Sequence, residues 1–477
     1  MKKSINIGNL RRVRFVGING VSMSGLAKWC VFNGIAAEGS DRIRNEETDK
    51  LLKLGIPVTV PQTAEKIGGQ DIVVYTSAVS EADPELSAAK KLGIPLVKRS
   101  EFLSAVMDCY KTRIAVSGSH GKTTVTAMLW EIFERAGKAP AVFLGGDYND
   151  RGNFCAGGNF RNVAIAEACE YKKNFLDLNP DVKVVLNVDD DHLESFGGIK
   201  EEIAAFREFA NGGLSVINAD DAGARGAANE NSVTFGINNP ADYEGKNLRS
   251  VNGLYEFTLY ERGKRKGKIC LPLGGRYNAV NALAAAAVAR SLGISFAAIT
   301  RGIQNFVGVK RRNERVGTLF GIPAYADYAH HPSEIKAVLS RYKEEGKTPV
   351  AVFQPHTYSR TRILMSEFVA ALCPCDKLII YKTYPARENF DEAGDGKTLY
   401  KNLLFNDAAA AENCFSCGAP LYAFDEDSLV RSIRAKLRGA DCVLFIGAGD
   451  IYETGKGLTA KYPEKEKRAK RVKKIIG

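Results

Sequence analysis

The sequence predicts an α/β protein of three domains with mainly parallel sheets. Two observations lead to this fold class. Apolar, β-branched runs alternate with segments of helical periodicity along most of the chain, which is the pattern of parallel strands joined by covering helices. The chain is also 477 residues long, which is too long for one ordinary core and, at roughly 150 residues per domain, agrees with about three domains.

The strands are predicted where apolar runs end in polar turns. These runs are Val13–Ile18, Ile72–Thr76, Ile114–Ser117, Val163–Glu167, Val182–Asn187, Pro349–Gln354, Lys377–Tyr381 and Asp441–Gly447. Two stretches have the character of joints between domains: a helix end at Met107–Arg113, and the charged connector GVKRRNERVG at Gly308–Gly317. The predicted domains are therefore residues 1–107, 108–312 and 313–477.

The composition is that of a globular protein in water, with 45% hydrophobic and 25% charged residues. The net charge is +11, and the segment Lys461–Gly477 contributes eight Lys/Arg against two Glu. We interpret this segment as a solvated helix, because a nucleic-acid surface would need basic residues spread with aromatics over a folded face. The sequence has neither an apolar signal region nor a run of membrane-spanning length, so we expect a cytoplasmic protein with no nucleic-acid and no membrane partner.

The ten cysteines are scattered through apolar segments, so we expect them to be reduced core residues. In a secreted chain the same number would suggest disulfides. The pairs Cys373/Cys375 and Cys414/Cys417 leave a zinc clip as the less favoured alternative, because their spacing differs from the usual paired Cys-x-x-Cys arrangement.

The stretch IAVSGSHGKTTVTA has the character of a phosphate-binding loop between a strand and a helix. Gly118 and Gly121 allow backbone N–H groups to turn toward an anion, and Lys122 adds a positive charge for the β- and γ-phosphates. The hydroxyl of Thr123 can hold Mg²⁺. The match is partial, because Val116 stands where the strict pattern has its first glycine, and an ordinary turn is the alternative.

The segment VRFVGINGVSMSGLA predicts a strand, a glycine turn and a helix N-terminus, which together make a seat for a diphosphate. A dinucleotide fingerprint would have glycines where Asn19 and Ser22 stand. Further along, Asp41 ends the predicted second strand and can accept a hydrogen bond from a sugar hydroxyl. Taken alone, the segment leaves NAD binding and a structural turn open. The glycines of the turn are Gly17, Gly20 and Gly25.

Acidic residues and a histidine follow two more predicted strands, in VAIAEACEY and VVLNVDDDHLESF. Parallel strands bring their carboxyl ends to the sheet edge that carries the phosphate loop. Glu167 or Glu170 from the first segment, and His192 with the run Asp189–Asp191 from the second, can therefore converge on Mg²⁺. The alternative is that these acids only cap strand ends.

Together these segments resemble the Mur ligase family. The histidine-bearing loop is similar to the family's Gly-Thr-His-Gly-Lys-Thr-Thr, and the N-terminal segment is similar to its Gly-Ile-Gly-Gly-x-Gly-Met-Ser-Gly opening. Further similar segments, from about residue 13 to 451, are EACEY, NVDDDH, GGRYNAVNALAA, DYAHHPSE, FQPHTYSRT, YPARE and GAGDI. The resemblance implies Rossmann-like N-terminal and C-terminal domains and a central P-loop-type ATPase domain.

The resemblance also implies ATP and Mg²⁺ as cofactors, with Lys122 and His120 as the catalytic residues. The implied ATP-binding residues are Gly118, Ser119, His120, Gly121, Lys122, Thr123, Thr124, Asn278 and Asn281. The implied metal ligands are Thr123, Glu170 and His192. The residues implied for the nucleotide sugar and the amino acid are Gly17, Asn19, Gly20, Ser22, Asp41, Ser77, Ala78, Tyr328, His330, His356 and Arg360.

Within the family, the chain resembles the branch that adds the first amino acid. It has no lysine between Glu201 and Asp220, where several family members carboxylate one, and it contains FQPHTYSRT and DYAHHPSE. This implies ATP-dependent ligation of L-alanine to the lactyl carboxylate of UDP-N-acetylmuramate through an acyl phosphate, by a monomer or homodimer. A recycling ligase that attaches a tripeptide to the same nucleotide sugar is the alternative, and a catalytically inactive relative is another.

Some positions depart from the family pattern. Cys169 and Tyr171 stand where an Asp and a Ser are usual. Tyr277 replaces a His, Asn19 replaces a Gly, and Thr357 stands where many relatives have an Arg. Because Cys169 removes an acid beside the implied metal, we expect the surroundings of the metal to differ from those in relatives while the ligand positions are kept.

Overall fold

The structure is a computed structural model, and it describes residues 5–80, 82–158, 161–189, 196–251, 254–386, 388–405 and 418–463. The chain divides into two compact units, Met1–Val309 and Lys310–Gly477, within the charged connector. Sheets of five, ten and six strands form the framework of the described residues. The predicted α/β class with mainly parallel sheets is confirmed.

The first sheet is entirely parallel. Its strands are β1 (Arg12–Val16), β2 (Ala36–Ser40), β3 (Val58–Thr59), β4 (Ile72–Tyr75) and β5 (Leu96–Lys98). The helices of this part are α1 (Val21–Phe32), α2 (Glu46–Lys53), α3 (Pro84–Lys91) and α4 (Arg99–Met107), with 3₁₀ turns at Ile7–Asn9 and Ala64–Lys66. The strand order β3-β2-β1-β4-β5 reverses direction between β1 and β4, and ligands of such sheets bind outside the carboxyl ends at this point.

The second sheet belongs to the same unit. Its strands are β6 (Thr112–Ser117), β7 (Ala141–Phe143), β8 (Phe154–Cys155), β9 (Val163–Glu167), β10 (Val182–Val185), β11 (Leu214–Asn218), β12 (Ser232–Gly236), β13 (Tyr243–Val251), β14 (Leu254–Glu261) and β15 (Lys264–Cys270). Its helices are α5 (Lys122–Arg135), α6 (Ile199–Ala210), α7 (Ala222–Gly226), α8 (Arg276–Ser291) and α9 (Phe296–Asn305), with 3₁₀ turns at Asn149–Arg151 and Tyr171–Asp177. The order is β15-β14-β13-β12-β11-β10-β6-β9-β7-β8, and pairing is antiparallel between β13, β14 and β15 and between β7 and β8.

The third sheet forms the core of the C-terminal unit. Its strands are β16 (Glu314–Leu319), β17 (Ile322–Asp327), β18 (Pro349–Phe353), β19 (Leu378–Tyr381), β20 (Leu421–Ala423) and β21 (Cys442–Ile446). Its helices are α10 (Pro332–Glu344), α11 (Tyr358–Ile363), α12 (Met365–Leu372), α13 (Gly396–Phe405), α14 (Glu426–Lys436) and α15 (Ile451–Lys461), with a 3₁₀ turn at Glu392–Gly394. The order is β16-β17-β21-β18-β19-β20, and β16 is antiparallel to β17 while the other pairs are parallel.

The register of the second sheet positions the phosphate loop. Strand β6 lies between β9 and β10 and is parallel to both, with Val116 opposite Glu167 on one side and Val184 on the other. The three carboxyl ends therefore lie at one edge of the sheet. The loop after β6 and the acids after β9 meet there.

The cysteine prediction is partly wrong. Cys373 is disulfide-bonded. The described cysteines that are free are Cys30, Cys109, Cys155, Cys169, Cys270, Cys375 and Cys442. Cys414 and Cys417 of the alternative zinc clip lie outside the described residues, as do residues 464–477 of the basic segment.

Among the described residues, no helix is long and apolar enough to cross a bilayer. The longest apolar helices instead pack into the cores of the sheets, as α5 and α8 do in the second sheet. Their hydrophobic content is therefore explained by burial within the protein.

A buried ion pair lies in the first sheet, and the apolar patterning gave no sign of it. The side chains of Arg14 on β1 and Glu85 in the first turn of α3 are 1% and 0% exposed. Arg14 donates Nη2 to Glu85 Oε1 at 2.8 Å and Nε to Oε2 at 2.9 Å. The same carboxylate accepts hydrogen bonds from Ser40 Oγ at 2.9 Å and from the Thr63 backbone N–H at 3.1 Å. One carboxylate thus joins β1, β2 and the segment after β3.

We expect Glu85→Ala to destabilise the N-terminal part of the chain by about 3–5 kcal/mol, because the guanidinium of Arg14 would stay buried without its partner. Urea unfolding followed by the fluorescence of buried Trp29, in a Trp130→Phe background, measures this loss. Asp49→Ala is the control, since its pair with Arg44 is 52% and 66% exposed, and it should cost less than about 1 kcal/mol. Equal losses in the two variants would contradict the role given to Glu85.

Candidate functional site

The phosphate loop connects β6 to α5. Gly118 and Gly121 have φ angles of +135° and +87°, a region that favours glycine. A Cβ atom at Gly121 would lie only 2.6 Å from Asn281 Oδ1, so the loop passes directly beside α8. One turn earlier on α8, Asn278 donates Nδ2 to Gly274 O at 2.8 Å. The structure therefore brings Asn281 against the loop, and Asn278 supports the entry to the same helix.

Lys122 is the first residue of α5, and its ammonium group faces back into the loop. It donates to the carbonyls of Gly118 and Ser119, and it lies 2.9 Å and 3.0 Å from the two carboxylate oxygens of Glu170. Burial lowers the pKa of Lys122, but the charge and hydrogen bonding of Glu170, together with the nearby Cys169 and Glu167, raise it by more, so the pKa lies above its ordinary value. Lys122 is therefore charged and already neutralises an anion where a phosphate is expected.

Thr123 and Glu167 form a second contact at the same edge. Thr123 Oγ1 donates to Glu167 Oε2 at 3.0 Å, and the backbone N–H of Gly145 donates to Oε1 of the same carboxylate. The sequence left Glu167 and Glu170 as alternative acids, and the structure brings both to the loop through different partners. The adjacent predicted residue Thr124 is buried in the first turn of α5.

His120 contacts the segment after β10. Its backbone N–H donates to Asn187 Oδ1 at 2.7 Å, and its ring Nε2 lies 3.3 Å from Asp189 Oδ2. The hydroxyl of Ser119 accepts a hydrogen bond from the backbone N–H of Asp189 at 2.9 Å. The loop is therefore tied to this segment at two successive residues. The predicted metal ligand His192 lies outside the described residues.

The described residues fit a magnesium ion at this edge. Thr123 Oγ1 and the carboxylates of Glu167 and Glu170 are hard oxygen donors, the type that Mg²⁺ prefers. Cys169 lies beside them, where the family pattern has an acid, and burial raises the pKa of its thiol. A neutral thiol is a poor ligand for Mg²⁺, so Cys169 changes the surroundings of the oxygen donors without adding one.

The turn after β1 is braced by Asn19. Its backbone N–H donates to Asp41 Oδ2 at 2.9 Å, and its Nδ2 donates to the carbonyl of Ile43 at 2.8 Å. Thr48 Oγ1 on α2 donates to Asn19 Oδ1 at 3.0 Å. The side-chain amide of Asn19 thus forms its hydrogen bonds within the protein. Asn19 and Asp41 lie together at the carboxyl edge of the first sheet.

The N-terminus of α1 lies at this edge too. Gly20 is its N-cap residue and donates its backbone N–H to Gly17 O at 3.2 Å. Ser22 Oγ in the first turn accepts a hydrogen bond from Arg99 Nη1 at 2.9 Å. Arg99 was not among the residues predicted from the sequence. Its signal is a cation directly after the short strand β5, which places it at the carboxyl edge.

Ser77 and Ala78 follow β4, next to the point where the strand order reverses. Ser77 O accepts a hydrogen bond from Lys172 Nζ at 3.3 Å, and the backbone N–H of Ala78 lies 3.5 Å from Thr76 Oγ1. Lys172 belongs to the segment that follows Glu170 in the second sheet. The predicted sugar-binding segment is therefore in contact with the segment that carries the acids.

The C-terminal unit brings its four predicted residues into one cluster. The rings of Tyr328 and His330 have centroids 5.3 Å apart, and those of His330 and His356 are 5.9 Å apart. Tyr384 stacks on His356 at 5.6 Å. Arg360 Nη1 donates to the carbonyl of His356 at 2.9 Å and lies 3.3 Å from its ring Nδ1. The segments DYAHH and FQPHTYSR thus meet at the carboxyl edge of the third sheet.

Arg360 is the cation of this cluster. Burial, together with the nearby charges of His330 and Arg360, lowers the pKa of His356 to about 4, so its ring is neutral at pH 7. Across the residues that the structure describes, no carboxylate forms an ion pair with Arg360. The guanidinium can therefore bind the carboxylate of a ligand.

Asp327 at the end of β17 is a residue that the sequence analysis missed. It is 5% exposed, and burial raises its pKa to about 6 although Arg312 opposes the shift. Its carboxylate accepts the backbone N–H groups of Ala329 at 2.9 Å and Asn313 at 2.8 Å. The available signal was an acid at a strand end, directly before Tyr328.

A glycine-rich loop with a lysine at a helix N-terminus, on a parallel sheet with acids at the same edge, defines a nucleotide-binding enzyme of the P-loop type. Comparison with family models matches almost the whole chain. The matching models are "Mur ligase family, catalytic domain" at residues 12–111, "Mur ligase middle domain" at residues 116–289 and "Mur ligase, glutamate ligase domain" at residues 311–449.

Individual proteins of the Mur ligase family are similar to nearly the whole chain. The chain is 38% identical over 464 residues to the UDP-N-acetylmuramate–L-alanine ligase of Caldanaerobacter subterraneus subsp. tengcongensis, covering 94% of this chain and 98% of the relative. It is 37% identical to the protein of that name from Aquifex aeolicus, covering 93% and 96%.

Two solved structures are similar in fold. The UDP-N-acetylmuramate-alanine ligase of Thermotoga maritima has a TM-score of 0.79 at 28% identity, covering 95% of this chain and 99% of that one. A murein peptide ligase of Psychrobacter arcticus has a TM-score of 0.70 at 20% identity, covering 94% and 98%. The chain belongs to the Mur ligase family, and the resemblance inferred from its motifs is confirmed.

The neutral state of His356 is directly measurable. At pH 5.5 a histidine of ordinary pKa is about 90% protonated, whereas the lowered pKa of about 4 keeps His356 neutral. We therefore expect NMR of histidine-labelled protein to show one ring that gains its proton only near pH 4, and His356→Gln to remove that signal. Titration of the assigned ring near pH 6.5 would contradict the environment described here.

Proposed function

We propose that this protein joins L-alanine to the lactyl carboxylate of UDP-N-acetylmuramate, with ATP as the energy source, in peptidoglycan precursor synthesis in the cytoplasm. One observation carries the proposal. Lys122, Thr123 and Glu170 converge at one sheet edge, in a chain that is 35–38% identical over nearly its whole length to proteins named UDP-N-acetylmuramate–L-alanine ligase.

The Mur ligases are ATP-dependent, and the first step assigned to this protein is phosphoryl transfer. The N–H groups of the loop Gly118–Gly121 and the N-terminus of α5 bind the phosphates, and Lys122 exchanges Glu170 for the β- and γ-phosphates. A lactyl oxygen attacks the γ-phosphorus, the bond to ADP breaks, and an acyl phosphate forms. The attacking group belongs to the substrate, so the protein acts by positioning and charge neutralisation.

Thr123 and Glu170 are proposed to hold Mg²⁺, with His192 as a further ligand. When bound, the ion would neutralise charge between the γ-phosphate and the attacking carboxylate, two anions that otherwise repel. Glu167 orients the Thr123 hydroxyl, because it accepts that hydroxyl's hydrogen bond at 3.0 Å. His120 is proposed to contact charge that develops beside Lys122.

In the second step the neutral amine of L-alanine attacks the acyl carbon. A C–N bond forms, the C–O bond breaks, and the inorganic phosphate that leaves takes up the proton that the amine loses. The alanine carboxylate is assigned to Arg360, because a guanidinium is always charged and its fork matches a carboxylate. Tyr328, His330 and neutral His356 form the remainder of this subsite.

The other substrate-binding residues are assigned to the nucleotide sugar. The glycine turn and the α1 N-terminus are proposed to bind its diphosphate, as helix N-termini bind anions. The ribose is assigned to Asp41. The full set is Gly17, Asn19, Gly20, Ser22, Asp41, Ser77 and Ala78.

Two alternatives differ from this function in measurable ways. A recycling ligase would attach an intact tripeptide to the same sugar, and an inactive relative would bind the sugar without turnover. Release of ADP, measured with UDP-N-acetylmuramate and ATP in the presence of L-alanine, of the tripeptide, or of neither acceptor, distinguishes them. Continuous ADP release that depends on L-alanine supports the proposal. Dependence on the tripeptide, or no release with either acceptor, refutes it.

We expect Lys122→Ala to reduce kcat for ADP release more than tenfold, because the charge that stabilises phosphoryl transfer is removed. The affinity for UDP-N-acetylmuramate should stay nearly unchanged, since that ligand is assigned to the first sheet. Steady-state kinetics and calorimetric binding measure the two quantities, and Lys138→Ala beyond the end of the same helix is the control. Retention of more than about a tenth of kcat, a loss below roughly 1.4 kcal/mol, would exclude this role for Lys122.

Arg360→Ala should raise the KM for L-alanine roughly ten- to a hundredfold, because a charge-assisted hydrogen bond of about 1.5–3 kcal/mol is lost. The KM for UDP-N-acetylmuramate should not change. Arg362→Ala is a matched control on the same helix, since Arg362 is 56% exposed and pairs with Asp391. An alanine KM that is the same in all three proteins would move the carboxylate site away from Arg360.

A further inference from the structure

A polar cluster joins α1 of the first sheet to the start of β8 in the second. At its centre is Asn153, which is 1% exposed. Its Nδ2 donates to the carbonyl of Val21 and to Ser24 Oγ at 2.9 Å, and its Oδ1 accepts from Lys28 Nζ at 2.7 Å. Val21, Ser24 and Lys28 have the spacing of one helix face. One side chain thus holds the first two turns of α1.

The cluster continues to the turn that we assign to the nucleotide sugar. Lys28 Nζ also lies 2.6 Å from Glu47 Oε1 on α2. The next residue of α2, Thr48, donates its hydroxyl to Asn19 in the turn after β1. Asn153 therefore contacts α1 directly and is connected to α2 through Lys28 and Glu47.

The backbone of Asn153 is connected by hydrogen bonds to the phosphate loop. Its carbonyl accepts the backbone N–H of Leu144 at 2.9 Å. The next residue, Gly145, donates to the carboxylate of Glu167, and that carboxylate accepts the hydroxyl of Thr123 at 3.0 Å. A single residue thus makes hydrogen bonds toward both candidate ligand sites.

The surrounding contact is apolar. Met23 and Leu26 of α1 belong to the same buried cluster as Phe143 of β7, and Phe154 of β8 packs against that cluster. Apolar contact is non-directional, so it holds the two parts together without fixing how α1 slides along the sheet. Hydrogen bonds require defined distances and angles. Asn153 therefore contributes directional contacts to this register at the first two turns of α1.

The chemistry of the cluster requires an amide. The side of Asn153 that faces Val21 O must donate, and the side that faces the Lys28 ammonium must accept. A carboxylate would keep the contact with Lys28 but would oppose the carbonyl of Val21 with a second acceptor. Asn153→Asp therefore removes the donor contact to Val21 O and keeps the contact to Lys28, with almost no change in volume.

We propose that Asn153 is a positioning residue that holds the diphosphate-binding turn of α1 at a fixed distance from the phosphate loop, and thereby sets the rate of phosphoryl transfer. This inference rests on the proposed function. It assigns to Asn153 no contact with either substrate. Its variants should therefore lower turnover while each substrate still binds.

The test compares Asn153→Asp with Asn162→Asp, the same chemical change at an exposed asparagine directly before β9. We expect kcat for ADP release to fall tenfold or more in Asn153→Asp. The Kd for UDP-N-acetylmuramate and the Kd for a non-hydrolysable ATP analogue should each stay within about threefold of the unchanged protein. Asn162→Asp should match the unchanged protein in all three quantities.

Ser24→Ala provides a milder second variant, because it removes only the hydroxyl that Asn153 Nδ2 contacts. We expect kcat to fall about two- to fivefold with unchanged Kd values. If the contact itself sets the rate, the loss in Ser24→Ala/Asn153→Asp should be smaller than the product of the two single losses. Should Asn153→Asp fail to fold, as thermal melting would show, Ser24→Ala alone decides.

Two results would overturn the inference. One is a kcat within twofold of the unchanged protein in the folded variants. The other is a weakened Kd for UDP-N-acetylmuramate with kcat unchanged at saturation, which would make Asn153 part of the sugar site alone. Failure of this inference can be distinguished from failure of the proposed function by assaying the unchanged protein in parallel. If the unchanged protein shows no alanine-dependent ADP release, the proposed function itself is wrong.

Discussion

The parallel register of β6 with β9 and β10 is the constraint on which the candidate site depends. Because the three strands run in one direction and Val116 lies opposite Glu167 and Val184, the segments that follow them emerge at one edge of the sheet. The lysine of the phosphate loop then reaches the acid that follows β9. A shift of one residue would turn the side chains of β6 to the opposite face and remove this convergence.

The site also has to keep its charges compensated. Glu170 is buried, Lys122 is 17% exposed, and the two pair at 2.9 Å. Breaking a largely buried pair is costly unless each charge gains a new partner. A nucleotide phosphate would take the place of the carboxylate for Lys122, and a divalent cation would take the place of the ammonium for Glu170. In the protein without ligands, Lys122 and Glu170 therefore each occupy the position of the ligand charge proposed for the other.

The polar cluster around Asn153 constrains the distance between α1 and the phosphate loop. Apolar packing between α1 and the strands β7 and β8 supplies most of the attraction, whereas the hydrogen bonds of the cluster limit sliding of α1 along these strands.

The cysteine prediction shows the limit of composition as a guide to disulfide bonding. Cys373 is disulfide-bonded, although its place in an apolar segment favoured a reduced thiol.

Much of the candidate site was predictable because its signals are local. The loop from Gly118 to Thr123 is continuous in sequence, its glycines adopt backbone conformations that few other residues reach, and Glu170 follows an apolar run that forms a strand. The cluster of Tyr328, His330, His356 and Arg360 was predictable for a related reason, since its two segments follow β17 and β18, which run in the same direction in one sheet. The roles of these residues stay predictions.

Sequence alone determined the α/β class, the phosphate loop, the acids at the strand ends and the membership of the Mur ligase family, because all of these are carried by periodicity and by short contiguous motifs. Only the tertiary structure revealed Asn153, Arg99 and the pair Arg14–Glu85. Asn153 lies 125 residues from Lys28, and Arg14 lies 71 residues from Glu85. Whether such residues meet depends on strand order and register, which result from the packing of the whole chain and leave no local pattern.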